Sequence, residues 1–113
     1  MTYAVLAPTK TAQGTQVFPV FITDDQDEAV NVARSRRSEL QRKGYESWAK
    51  KVAIKSPITA DAYWKLAERT SEYGHMIDDA SSGNSFRGQA LIDWANILRV
   101  RADEIANPES YAD

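Results

Sequence analysis

After Ser56-Pro57 the apolar residues of this chain recur at three- and four-residue spacing, over two long stretches separated by a short polar one. The first stretch opens at Thr59, a good helix N-cap, and runs to about Asp79, with Tyr63, Leu66, Ala67, Thr70, Tyr73, Gly74 and Ile77 on one side. The second is capped by Asn84 or Ser85 and runs from Phe86 to about Ala106, where Asn107-Pro108 stops it. Its wide apolar face is formed by Phe86, Ala90, Leu91, Trp94, Ile97, Leu98 and Ile105. Two such helices, joined only by the connector Ala80–Ser85, must fold back on each other to bury their apolar sides, so an antiparallel helical hairpin is expected over 58–106.

The first half has a different rhythm. Thr2–Ala7 alternates and ends at Pro8, which predicts a first strand. Pro8–Thr15 is polar and holds Gly14, so a loop is expected there. Gln16–Thr23 predicts a second strand, and Pro19 within it requires an edge position or a bulge, because proline gives no N–H to a ladder. Acids at Asp24, Asp25, Asp27 and Glu28 open a helix, with the cap at Thr23 or Asp25. Ala29, Val32, Ala33, Arg36 and Leu40 share its inner side, Arg42 and Lys43 suit its negative end, and Gly44 follows as a terminator. Ser47–Lys55 then alternates with period two, predicting a third strand with Trp48, Val52 and Ile54 inward. The expected fold is therefore α+β: β-β-α-β-α-α, a small three-stranded antiparallel or mixed sheet covered by helices, with a C-terminal helical hairpin. It reads as a single domain over 1–113, with a basic part at 1–57, the hairpin at 58–106 and a short acidic tail at 107–113. Trp48, Val52, Ile54, Leu66, Ile77, Leu91, Trp94 and Leu98 are the expected core.

Charge is distributed unevenly along this plan. Residues 1–57 carry nine Lys/Arg against six Asp/Glu, and residues 58–113 carry five against ten. The basic excess is concentrated in the segment Arg34–Lys55, eight basic residues against Glu39 and Glu46. Arg34, Arg37, Arg42, Lys43, Lys51 and Lys55 are therefore the candidate contacts for an anionic partner, nucleic acid or acidic protein, with Lys51 and Lys55 expected on the wet face of the sheet. Phe18 or Phe21 could add a stacking platform for a base. A second candidate is aliphatic: Ile92 and Val100, with Arg99, are expected on the polar side of the last helix as a small protein-contact patch.

Patterns that would carry chemistry are weak. Glu68, Glu72, His75 and Asp79 share one helix face, but His75 is the only histidine and the chain has no cysteine, so a solvated acidic face rather than a metal site is expected. No serine has the surroundings of a nucleophile paired with His75. The glycine-containing run Ser82–Gly88 follows a helix rather than a strand and lacks the Gly-Lys-Ser/Thr ending of a phosphate loop. No cofactor is expected. There is no signal-like leader and no apolar run of about 20 residues, so a cytoplasmic protein without membrane contact is expected.

The function expected from these features is non-enzymatic: a protein-binding module of the inhibitor or adaptor type, with self-association as one form of that binding. In size and in lack of motifs the chain resembles the small inhibitors and adaptors of phages and mobile elements. The alternatives are a nucleic-acid-binding domain that uses Arg34–Lys55, and a small enzyme or ligand carrier built from scattered residues.

Overall fold

The computed structural model describes residues 1–11, 13–80 and 85–111, and for Ser110 and Tyr111 the backbone alone. Contacts divide the chain into two compact units, Met1–Ser56 and Pro57–Asp113. The order of elements is that of an α+β protein: a three-stranded antiparallel sheet, its helices, and a C-terminal helical hairpin.

The first unit starts with a β-hairpin, β1 (Tyr3–Thr11) and β2 (Gly14–Thr23). Both strands run further than their apolar content suggests, so most of the expected loop Pro8–Thr15 is ladder, with Pro8 opposite Val17 and Thr11 opposite Gly14. Two local features close the turn. Gly14 takes a φ of +105°, open to glycine at little cost. The Thr11 hydroxyl donates to the Gly14 carbonyl at 2.6 Å and accepts the Gln13 N–H at 3.2 Å. Pro8 is tolerated inside β1 because the third strand pairs only with Ala4–Leu6, leaving β1 an open edge beyond them. Pro19 meets both conditions set for it: β2 lies at the sheet edge, in the order β2-β1-β3, and the register slips between Val5 and Leu6, where Pro19 and Phe21 flank the extra residue.

Helix α1 (Gln26–Arg42) starts at Asp25, whose carboxylate accepts the N–H groups of Asp27 and Glu28 at 2.9 and 3.4 Å. It ends in a Schellman turn. Gly44, at φ +83°, sends its N–H to Gln41 O at 3.0 Å, and Tyr45 sends its own to Leu40 O at 2.9 Å. Ala29, Ala33 and Leu40 lie buried against Val5 and Ala7 of β1, and the alanines let the helix approach the sheet closely. Replacing Asp25 by alanine leaves two helix-end N–H groups without this acceptor, and a stability loss of about 0.5–2 kcal/mol is expected in urea denaturation. Asp25→Asn, which keeps the acceptor, should recover most of it.

Ser47–Lys55 departs from the sequence reading. Residues Glu46–Ala49 form a helical turn, α2, and the chain keeps turning to Val52, whose N–H reaches Ala49 O at 3.2 Å. Only Ala53–Lys55 pair with β1, as β3. The alternation concealed a second spacing: Tyr45, Trp48, Ala49 and Val52 are three and four residues apart, which suits a helical turn that packs Ala49 and Val52 into the core. Tyr45 and Trp48 stack at 4.8 Å between ring centroids. The consequence for the core is that Val52 is buried and Trp48 half-buried, while Ile54, expected inside, is 37% exposed.

The second unit is the hairpin of α3 (Ala60–Ala80) and α4 (Phe86–Ala106), followed by a 3-10 turn, Pro108–Tyr111. Thr59 caps α3 through its hydroxyl, which accepts the Ala62 N–H at 3.1 Å; Ser85 caps α4 in the same way through Gly88 N–H at 3.0 Å. Asn84, the other possible cap, and the glycine-containing run as far as Asn84 lie outside the described residues. The inner side of α3 is as expected: Tyr63, Leu66, Ala67, Thr70, Tyr73 and Gly74 are all buried, with Ile77 half-buried.

Helix α4 is rotated by about a quarter-turn from its expected phase. Its buried residues are Gly88, Ala95, Leu98 and Ala102; Leu91 and Trp94 are half-buried, and Phe86, Ala90, Ile97 and Ile105 are exposed. Small residues decide this. Gly88, Ala95 and Ala102 are spaced by seven, and so are Ala60, Ala67 and Gly74 on α3. Seven residues are nearly two helical turns, so each trio forms a straight ridge of minimal side chains, and the two ridges let the backbones approach closely. The two glycines face each other with no room for a side chain on either. A Cβ on Gly88 would lie 2.8 Å from Gly74 O, and one on Gly74 would lie 2.9 Å from Gly88 O. Antiparallel stepping then places Ala67 opposite Ala95 and Ala60 opposite Ala102. A scale that ranks residues by apolarity points α4 toward its large side chains; the structure faces α3 with its smallest ones.

Candidate partner-contact surfaces

In the first unit the basic residues divide into two groups. Arg34 and Arg42 lie on the outer side of α1, away from Ala29, Ala33 and Leu40, and both are exposed. Lys50 and Lys51 follow α2, and Lys55 ends β3, all three exposed. Lys51 thus stands in a turn rather than on the sheet face expected for it. Arg37, Arg36 and Lys43 are engaged within the fold. Arg37 is exposed, as expected, and its guanidinium also donates to the Val52 carbonyl at 3.0 and 3.4 Å, joining α1 to the segment before β3. Lys43 Nζ lies 3.1 Å from Glu39, and Arg36 lies 3.7 Å from the same carboxylate. The Lys43 hydrogen bond, then the charges of Lys43 and Arg36, hold the Glu39 carboxyl below its ordinary range. Glu39 thus sits among the cations as an acid that stays ionised. The stacked pair Tyr45–Trp48 adds an aromatic surface, with Tyr45 exposed, next in the chain to Lys50 and Lys51. Of the two phenylalanines expected as an aromatic platform, Phe18 is buried and Phe21 is half-buried, packed against the core.

In the second unit the aliphatic candidates separate. Val100 is 49% exposed. Ile92 is not on the polar side as expected; it is half-buried at the helix crossing, where its Cγ1 would lie 2.9 Å from a Cβ on Gly74. Arg99 is half-buried and donates to Asn96 Oδ1 at 2.8 Å. What the rotation of α4 exposes instead is a stripe: Phe86 at 94%, Ile97 at 44% and Val100 lie within about 60° of one another, with Ala90, Asp93 and Glu104 beside them. Sequence reasoning had placed Phe86 and Ile97 inside. The seven-residue spacing of small residues is the signal that would have placed them outside.

Glu68, Glu72, His75 and Asp79 are all exposed on α3, and Glu72 lies 3.9 Å from Arg69. At the open end of the hairpin, Ala60, Asp61, Trp64, Ala102, Asp103 and Ala106 line a recess of about 270 Å³. No helix among the described residues is long and apolar enough to cross a membrane. No protein-family model matches the chain, and no curated protein or solved structure is significantly similar to it.

Proposed function

We propose that the chain is a non-enzymatic protein-binding module that contacts its partner through the outer side of α4. The observation that carries this reading is the exposed stripe of Phe86, Ile97 and Val100. Single exposed aliphatics are common on any protein. A phenylalanine and two aliphatics along one side of one helix, spanning about 21 Å from Phe86 to Val100 at 1.5 Å per residue, form a ridge that gains from being covered. Asp93 and Glu104 lie along it, in a unit with ten acidic and five basic residues over 58–113. The fitting partner therefore presents an apolar surface bordered by Lys or Arg.

A second reading rests on Arg34, Arg42, Lys50, Lys51 and Lys55 with the Tyr45–Trp48 stack, a basic and aromatic surface suited to single-stranded nucleic acid. Two variants separate the readings, and both leave Arg37 in place because it holds Val52. Ile97→Asp/Val100→Asp should abolish a stoichiometric, nuclease-resistant complex captured by the wild type, while Arg34→Glu/Arg42→Glu/Lys51→Glu/Lys55→Glu retains it. Salt-sensitive binding of a random oligonucleotide at physiological salt, lost in the charge-reversed variant, would favour the second reading; loss of the nuclease-resistant complex only in the charge-reversed variant would move the protein contact to the basic segment.

A further inference from the structure

The exposed stripe of α4 is longer and more regular than its three large apolar residues alone. Phe86, Ala90, Asp93, Ile97, Val100 and Glu104 follow one another at spacings of four, three, four, three and four, and all six are exposed. At about 100° per residue, each lies within about 40° of the direction opposite Ala95. The row therefore runs along the back of the helix, while Gly88, Ala95 and Ala102 face α3. Alternating threes and fours make the seam of a coiled coil. Four of the six positions are apolar, and two carboxylates stand within the row. Among the described residues, Asp93 and Glu104 form no ion pair. The arginines of α4 are engaged at its sides: Arg87 lies over the Tyr73 ring at 5.8 Å, Arg101 over the Trp94 ring at 5.6 Å, and Arg99 donates to Asn96.

We infer that this row receives an amphipathic α-helix of the partner protein, one that sets Lys or Arg opposite Asp93 and Glu104 and apolar side chains opposite Phe86, Ala90, Ile97 and Val100; the inference rests on the protein-binding reading above. Spacing selects a helix. From Phe86 to Glu104 the row spans about 27 Å, or about 5.4 Å per position, at 1.5 Å per residue. A second helix repeats at the same interval, so its side chains mesh along the whole row. Side chains on one face of a strand recur at about 6.7 Å, and by the end of the row a strand is more than one position out of step. Charge selects the sequence and the register. Covering an unpaired carboxylate is unfavourable unless a cation meets it. Two carboxylates eleven residues apart within an apolar row accept only an alignment that brings a cation to each. A second copy of α4 does not meet this condition. Whichever way two copies run, their shared seam holds Asp93 and Glu104 from each and no Lys or Arg.

The test titrates the full chain with a dye-labelled helical peptide of roughly 25 residues, used below the concentration at which it self-associates. Its seam alternates threes and fours, with Lys at every third seam position and Leu at the others, a pattern that meets the row in either direction. A counterpart carries Glu in place of each seam Lys. Fluorescence anisotropy should rise saturably with the Lys peptide and about tenfold more weakly, or not at all, with the Glu peptide, and the preference should shrink as salt rises. Asp93→Lys/Glu104→Lys, confirmed as folded by circular dichroism, should reverse the preference. Ile97→Asp/Val100→Asp should lose both peptides. Equal binding of the two peptides, binding of neither, or a charge-swapped variant that still prefers Lys would overturn the inference. So would a concentration-dependent dimer in sedimentation that Ile97→Asp/Val100→Asp abolishes, which would make a second copy the occupant. If the captured complex is lost in Ile97→Asp/Val100→Asp while the wild type binds both peptides alike, the protein-binding reading stands and the basic helical occupant falls.

Discussion

Replacing Gly88 by alanine should destabilise the hairpin, against the direction that helix propensity gives. In an exposed helix interior, glycine to alanine stabilises by up to about 1 kcal/mol. At Gly88 the added methyl would lie 2.8 Å from Gly74 O, 3.0 Å from Asp78 N and 3.1 Å from Asp78 Cβ. Two of these three atoms are backbone, which cannot rotate away as a flexible side chain would. The helices must separate, loosening the contacts of Ala95, Leu98 and Ala102 along the same seam. Overpacking of this kind typically costs about 1–3 kcal/mol, enough to reverse the propensity gain. Gly74→Ala meets the facing carbonyl at 2.9 Å and Ile92 Cγ1 at the same distance, so it should behave alike. The double variant should cost less than the sum of the two, because the first substitution already separates the helices. Urea denaturation followed by circular dichroism measures all three. A Gly88→Ala protein more stable than the wild type would show that the approach of α3 and α4 is not set at this point.

Leu98→Ala should lower stability by about 2–5 kcal/mol, while Ile97→Ala, one residue away, should change it by less than about 0.5 kcal/mol. Leu98 is completely buried and is among the largest fully enclosed side chains of the described residues, so its truncation leaves a cavity between helices already in close contact. Ile97 is 44% exposed on a different side of the helix, so nearly half of its surface is already in water and its truncation opens no enclosed cavity. The pair tests the rotation of α4 directly, since the sequence reading had both residues inside. It also bears on function: in this phase Ile97 can be altered to disrupt partner contact without loss of fold.

The basic segment was legible as composition but not as a surface. The sequence shows eight cations between Arg34 and Lys55; it does not show that Arg37 is held by Val52 O, or that Lys43 and Arg36 share Glu39. A side chain's availability depends on which carbonyl or carboxylate the fold brings within 3–4 Å, and Arg37 and Val52 are fifteen residues apart in the chain. Lys43 and Glu39 are four apart on one helix, a pairing that helical spacing alone allows.

By itself the sequence determined the elements whose signals are local. Gly44 ends α1 and Thr59 opens α3, Asp25 is one of two caps allowed for α1 and Ser85 one of two for α4, Pro19 requires an edge or a bulge in β2, and the apolar spacing of α3 gives its buried side. Capping, proline and amphipathicity act within a few residues, so they can be read without the rest of the chain. Only the tertiary structure decided the rest. Tyr45–Val52 could satisfy a strand's alternation or a helical turn's three-and-four spacing, and the turn prevailed because it places Ala49 and Val52 in the core formed with β1 and α1. Helix α4 could bury its large side chains or its small ones, and the small ones prevailed because Ala60, Ala67 and Gly74 offer a matching ridge on α3. Close approach belongs to a pair of helices, and neither helix specifies it alone. That same choice left Phe86, Ile97 and Val100 in solvent, the feature on which the proposed function rests.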